Sequence, residues 1–117
     1  MATRARIRHE LKCWPEFFQP TLNGIKRFEL RRDDREGGFQ VGDELLLQEW
    51  IPPGRPVFPG SDERLKADPK GPGYYTGREV LVRVDYLMSA EQFDTLLLGG
   101  PDTGLSPAFV IMSISLI

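Results

Sequence analysis

Gly24-Ile25-Lys26-Arg27-Phe28-Glu29-Leu30-Arg31-Arg32 is the stretch whose reading decides the fold. Written as a pattern it is G-x-K-x-x-E-x-R, a glycine stop followed by alternating apolar and charged residues. Alternation with period 2 is the mark of a strand, because successive side chains leave the pleat on opposite faces. On that register Phe28 and Leu30 point one way, expected to be the core, and Arg27, Glu29 and Arg31 point the other way. Glu29 would then lie on a charged face between two guanidinium groups. A strand face of this kind is commonly just solvated surface, with ion pairs of about 0–1 kcal/mol each.

Upstream, residues 6–13 alternate again, with Ile7, His9, Leu11 and Cys13 on one side and Arg6, Arg8, Glu10 and Lys12 on the other. A first strand is expected there. His9 on the apolar side reads as a hydrogen-bonded core histidine, and Cys13 as a small buried hydrophobe. His9 and Cys13 alone do not make up a metal-ligand set, so no metal or cofactor is expected. Between the two strands, Trp14, Phe17, Phe18 and Leu22 fall at helical spacing. Pro15 suits the first turn and Gly24 the left-handed stop. Pro20 conflicts with a regular helix, at a cost of about 3 kcal/mol, so a short or kinked helix is expected, covering one mouth of the sheet with Phe17, Phe18 and Leu22.

Downstream, Val41-Gly42-Asp43 reads as a tight turn feeding a core strand over residues 44–50. Residues 51–76 hold six prolines and four glycines, a composition that predicts a long irregular loop, mobile at 54–72. Residues 79–86 alternate cleanly, placing Val80, Val82, Val84 and Tyr86 inward. Ser89-Ala90-Glu91-Gln92 is a capping-box pattern opening a short helix with Phe93, Leu96 and Leu97. Residues 108–117 are too apolar for an edge strand. The order β, α, β, β, loop, β, α, β has no βαβ alternation. It predicts a mostly β (α+β), mainly antiparallel pseudo-barrel with one or two short helices, whose core includes Leu45 or Leu46, Val82, Val84 and Ile114.

The whole chain, 1–117, reads as a single domain with a basic tail at 1–5. The net charge of −2 hides an asymmetry: residues 1–35 carry nine Lys or Arg against five Asp or Glu, and the rest carry six against twelve. That suggests a local anion-binding face on an acidic body. One cysteine excludes an internal disulfide and fits a reducing compartment. No apolar run is long enough to span a bilayer and the basic start lacks an apolar h-region, so no membrane association and a cytoplasmic location are expected.

His9-Glu10-Leu11-Lys12, Asn23-Gly24, Lys26 with Glu29 and Arg31, Val41-Gly42-Asp43, and Tyr75-Thr76-Gly77-Arg78-Glu79 occur in that order along nearly the whole chain. In this the chain resembles a small PUA-like family of bacterial and phage genomes known as a domain of unknown function. It is similar to the ASCH domains of the PUA superfamily, with their G-x-K-x-x-[ET]-x-R signature. The resemblance implies a five- or six-stranded pseudo-barrel with a cleft beside the first helix, and RNA or a nucleotide-like anion as partner. Lys12, Lys26, Arg31 and Arg32 would then meet phosphates, Tyr75 would stack on a base, Glu29 would accept from a base edge, and Arg78 would stand at the rim. Some ASCH members hydrolyse an acylated cytidine or cleave RNA. Under that alternative Lys26 and Glu29 are the catalytic pair, although Glu29 replaces the threonine of the amidohydrolase members. A third reading is a non-catalytic protein-interaction or phage accessory domain. In a strand regular from Lys26 onward, Lys26 and Glu29 would lie on opposite faces; they share a cleft only if Lys26 precedes the strand or a bulge shifts it.

Overall fold

The computed structural model describes residues 5–34, 37–55, 65–93 and 108–117. Eight elements follow in order: β1 (Arg8–Cys13), α1 (Pro15–Leu22), β2 (Phe28–Arg32), β3 (Glu44–Ile51), β4 (Lys66–Ala67), β5 (Tyr74–Ser89), α2 (Ala90–Phe93) and β6 (Phe109–Leu116). The strands form one sheet of order β1-β3-β5-β6-β2, with β4 attached to the start of β5. Every pairing is antiparallel except β1 with β3. A parallel neighbour requires a crossover, and residues 14–43 supply it through α1 and β2. The sheet curls into a half-barrel, the mostly β pseudo-barrel expected from the element order.

The inner face is built by alternation. His9, Leu11 and Cys13 of β1 are buried, as are Leu45 and Leu47 of β3, and Val80, Val82 and Val84 of β5. Val110, Met112 and Ile114 complete it from β6, which lies inside the sheet between β5 and β2. Leu45, rather than Leu46, is the β3 residue that shares the core with Val82, Val84 and Ile114.

Three expectations are corrected here. First, β2 is turned the other way round: Glu29 is 4% exposed, whereas Phe28 is 53% and Leu30 41% exposed. Glu29 stands opposite the buried Met112 in the ladder, so the carboxylate is on the inner face. Second, Tyr86 points outward, because the pairing of β5 with β6 shifts between Val84 and Tyr86. One extra residue at such a bulge reverses the alternation beyond it. Third, the supposed loop 51–76 is shorter than expected. Ile51 ends β3, β4 pairs with β5, and β5 already begins at Tyr74. Gly73 is needed for that return: its φ is +114°, and a Cβ there would lie 2.4 Å from the Trp50 ring. Residues 56–64 of this stretch, and Leu96 and Leu97 of the expected second helix, lie outside the described residues.

The helix α1 tolerates Pro20 by being only eight residues long. Its inner face is Phe18 and Thr21, both buried, while Phe17 and Leu22 sit on its flanks and are exposed. The Pro20 carbonyl accepts from both Ile25 N (2.9 Å) and Lys26 N (3.0 Å), which turns the chain sharply at Gly24, φ +74°. The Val41-Gly42-Asp43 turn forms as read. Asp43 accepts from Gln40 N at 3.0 Å and Ile7 N at 3.2 Å, and pairs with His9 Nε2 at 2.9 Å, so the buried histidine is a structural one. The capping box is present too: Gln92 N donates to Ser89 Oγ at 3.1 Å and Ser89 N to Gln92 Oε1 at 3.0 Å.

Candidate functional site: a cleft at the open seam

A half-barrel leaves two edge strands, here β1 and β2, with unpaired backbone groups. Arg31 bridges the seam between them. Arg31 Nη2 donates to the Lys12 carbonyl at 3.0 Å, while its Nε donates to Glu29 Oε2 at 2.9 Å. Beside this bridge a cleft of about 540 Å³ opens between the end of β1, α1 and β2. Its polar part is Lys12, Cys13, Glu16, Lys26, Glu29 and Arg31, and its apolar walls are Trp14, Phe17, Pro20, Phe28 and Leu30.

Glu29 is the centre of the polar part. Lys26 Nζ donates to Glu29 Oε1 at 3.0 Å and to the Phe28 carbonyl at 2.6 Å. The strand proper starts at Phe28, so Lys26 precedes it and reaches round to the inner face, which satisfies the geometric condition for a shared cleft. The Lys26 and Arg31 side chains are 15% and 25% exposed, against 5% for Glu29. A buried carboxylate held by two cations leaves the trio with a net positive charge facing solvent. Lys26 Nζ also lies 4.8 Å from the Phe28 ring centre and 6.0 Å from that of Phe17, cation–π contacts to one ring on each wall of the cleft.

A second buried carboxylate, Glu49, lies on the same inner face one step beyond Leu45 and Leu47. Arg78 holds it bidentately, Nε to Oε1 at 3.0 Å and Nη2 to Oε2 at 3.1 Å, and Thr76 Oγ1 donates at 2.7 Å. Burial raises the Glu49 carboxyl pKa, but the Arg78 and Thr76 bonds outweigh it and leave the group below its ordinary value of 4.5. A depressed carboxyl stabilises the fold above its unfolded pKa and loses that contribution as pH falls through the folded one. Melting temperature should therefore fall as pH drops below 4.5, and Arg78→Ala should flatten that acid limb. An unchanged acid limb in the variant would mean that other carboxylates set it.

Cys13 reaches the cleft from β1 and is 2% exposed. Burial, then the charge of Glu29, pushes its thiol up to about 11, with Arg31 and Lys26 acting the other way. It is therefore a protonated thiol at neutral pH and no nucleophile. Iodoacetamide at pH 8 should modify it at least about tenfold more slowly than a free cysteine of ordinary pKa. Equal rates would contradict the buried placement.

Of the residues singled out from the sequence, Lys12, Lys26, Glu29 and Arg31 line the cleft together. Arg32, Tyr75 and Arg78 do not line it. Arg32 lies over Phe109 at 5.7 Å, Tyr75 pairs with Lys66 and Trp50 in the sheet, and Arg78 stacks on Phe18 at 4.9 Å while clamping Glu49. Lys12 is partly engaged, by Asp68 at 2.7 Å and the Trp50 ring at 4.5 Å. Sequence reasoning missed the aromatic walls and Arg55. The Arg55 guanidinium meets both oxygens of Glu16 at 2.7 Å and stacks over Trp14 at 4.8 Å, adding an ion pair at the rim. Pro15 at the helix start was the available signal for Trp14, since a residue before the first turn is not committed to the helix face. Arg55 had none. Among the described residues no three His, Cys, Asp or Glu side chains cluster as metal ligands, and no helix is long and apolar enough to cross a membrane.

Comparison with known proteins places the chain in a family. Residues 8–114 match the family described as "Domain of unknown function (DUF3850)", and the chain belongs to that family. It is also similar to an "Uncharacterized 12.9 kDa protein in GpA 3'region" of Escherichia phage P2, 32% identical over 76 residues, 65% of this chain. The chain spans about half the length (50%) of that curated relative.

Proposed function

We propose that this is an ASCH/PUA-like binding protein whose seam cleft takes one nucleobase of an RNA or nucleotide. The observation that carries the reading is the buried carboxylate of Glu29 at the base of an aromatic-walled cleft, with Lys26 and Arg31 beside it. Each part suits one part of a nucleotide. Trp14, Phe17 and Phe28 are 42%, 50% and 53% exposed within a cleft, where exposed aromatic faces offer stacking. Glu29 is acceptor-only when ionised, so it pairs with the amino group of cytosine, adenine or guanine and not with a carbonyl edge. Lys26 and Arg31, two cations on one carboxylate, suit phosphate oxygens, whereas Lys12 and Arg55 at the rim are each already paired, with Asp68 and Glu16. The acidic balance of the rest of the chain favours one nucleotide or loop over coating a long strand.

Calorimetric titration with the four ribonucleoside monophosphates and a short single-stranded RNA tests it. Cytidine, adenosine and guanosine nucleotides should bind more tightly than uridine, and RNA affinity should fall as salt rises. Lys26→Ala should weaken binding by about tenfold or more, the size of one charge-assisted hydrogen bond. Glu29→Gln, which puts a donor beside the acceptor, should keep affinity within a few-fold and erase the amino-base preference. Turnover of an acylated cytidine that disappears in Glu29→Gln would favour the hydrolase alternative. No binding by any of these ligands would defeat the reading, leaving the protein-interaction alternative.

A further inference from the structure

Glu29 gives the cleft a fixed order of hydrogen-bonding groups. Lys26 Nζ donates to Oε1 at 3.0 Å and Arg31 Nε to Oε2 at 2.9 Å, so the two cations flank opposite oxygens of the carboxylate. Read across it, the polar row is donor, acceptor, acceptor, donor. Capacity is left at each position. An ionised carboxylate has about four lone-pair sites, and the cations take one on each oxygen. Lys26 Nζ gives a second hydrogen to the Phe28 carbonyl and keeps a third. Arg31 Nη2 serves the Lys12 carbonyl, while Nη1 has no partner among the described residues. All three side chains line the cleft. Stacking on Trp14, Phe17 and Phe28 tolerates any base, so this row decides which base is held.

We infer that the row Lys26–Glu29–Arg31 selects guanine, so that the ligand of the cleft is a guanosine nucleotide or a guanine in single-stranded RNA. The inference rests on the base-binding reading above and says which of the amino bases the site prefers. Unpaired bases are read on their Watson–Crick edges, and the four edges differ in order. Guanine offers two adjacent donors, N2–H and N1–H, and then the acceptor O6. It meets both Glu29 oxygens and one flanking cation, a match at three adjacent positions. Because the row reads the same from either end, the match holds whichever way the base enters. Adenine and cytosine each offer one amino donor beside a ring acceptor. They use one oxygen and one cation and leave the second oxygen unanswered in a desolvated site, which costs affinity. Uracil has one donor between two carbonyls, so pairing its N3–H with one oxygen sets a carbonyl against the other. That contact is repulsive and excludes it.

The test titrates the full chain with GMP, IMP, AMP, CMP and UMP at fixed salt, by calorimetry and by amide chemical shifts. GMP should bind about tenfold more tightly than AMP or CMP, with UMP weaker again. IMP differs from GMP only in lacking the 2-amino group, and should lose about tenfold, the size of one hydrogen bond to a charged acceptor. Glu29→Gln turns one acceptor of the row into a donor. It should remove the difference between GMP and IMP and leave GMP no tighter than UMP. Shifts on GMP binding should include Glu29 and Arg31. In the unmodified protein, GMP no tighter than AMP and CMP, or IMP equal to GMP, would overturn the inference, as would a GMP lead that survives Glu29→Gln. If UMP alone is weak and the amino bases bind equally, only the guanine preference falls. If no nucleotide binds or moves the cleft amides, the base-binding reading falls and this inference falls with it.

Discussion

Val84→Asp should abolish cooperative unfolding. Val84 is fully buried (0% exposed) at the centre of β5, between β3 and β6. Its main chain is already fully employed: Val84 N donates to the Asp43 carbonyl and the Val84 carbonyl accepts from Gly42 N, each at 2.8 Å. The side chain shares the core with Leu45, Val82, Met112 and Ile114, none of which offers a donor. An aspartate here must bury an unpaired charge or a neutral carboxyl without partners, in place of a well-packed isopropyl group. The expected loss is about 4–5 kcal/mol or more, the range reserved for buried unsatisfied polar groups. A domain of this size has about 5–15 kcal/mol to lose. Calorimetry should show no sharp transition, and near-ultraviolet dichroism should be weak. A native-like melt would mean that Val84 is not in the core.

The contrast between Val84 and Glu29 explains how much could be read from the chain. Val80, Val82 and Val84 were legible because they lie in a central strand whose whole inner face is apolar, so alternation alone fixes the side. His9, Leu11 and Cys13 were legible although β1 is an edge strand, because they alternate with the charged Arg8, Glu10 and Lys12, and the Asp43 turn because its bonds are local. Glu29 was not. Its neighbours Phe28 and Leu30 are the more apolar pair, yet β2 is an edge strand beside the open seam. There the interior is a polar layer with Glu29 and Glu49 facing inward, each neutralised by cations from other positions: Lys26 and Arg31 for one, Arg78 for the other. Which face is inside was thus decided by partners and not by hydropathy. Tyr86 escaped because a bulge has no composition of its own, and the parallel pairing of β1 with β3 because it depends on chain passage far from either strand. The cations of the site were recognisable by their spacing, whereas its aromatic walls come from α1, the residue before it and β2, and converge only in the fold.

Arg31→Ala should damage both the fold and the cleft, by a route that surface ion pairs do not share. The guanidinium performs two tasks with two nitrogens: Nε holds the buried Glu29, and Nη2 reaches across the seam to the Lys12 carbonyl. Its removal leaves Glu29 with Lys26 as its one cationic partner and unfastens the edges of the half-barrel. Breaking a fully buried pair costs about 3–5 kcal/mol. Arg31 is a quarter exposed (25%), so solvent screening reduces the expectation to about 2–3 kcal/mol. Arg31→Lys should recover part of this, since an ammonium can neutralise Glu29 but cannot serve both acceptors with a planar fork. Arg8→Ala is the control: its pair with Glu44 is exposed, 54% and 35%, and should be worth about 0–1 kcal/mol. Denaturant unfolding gives the three stabilities, and amide exchange locates the change. The amides of β1 and β2 flanking the seam should exchange faster in Arg31→Ala, while those of central β5 change only with global stability. If Arg31→Ala costs no more than Arg8→Ala and the seam amides stay protected, the bridge does not hold the half-barrel together. The cleft would then be shaped by α1 and β2 packing alone.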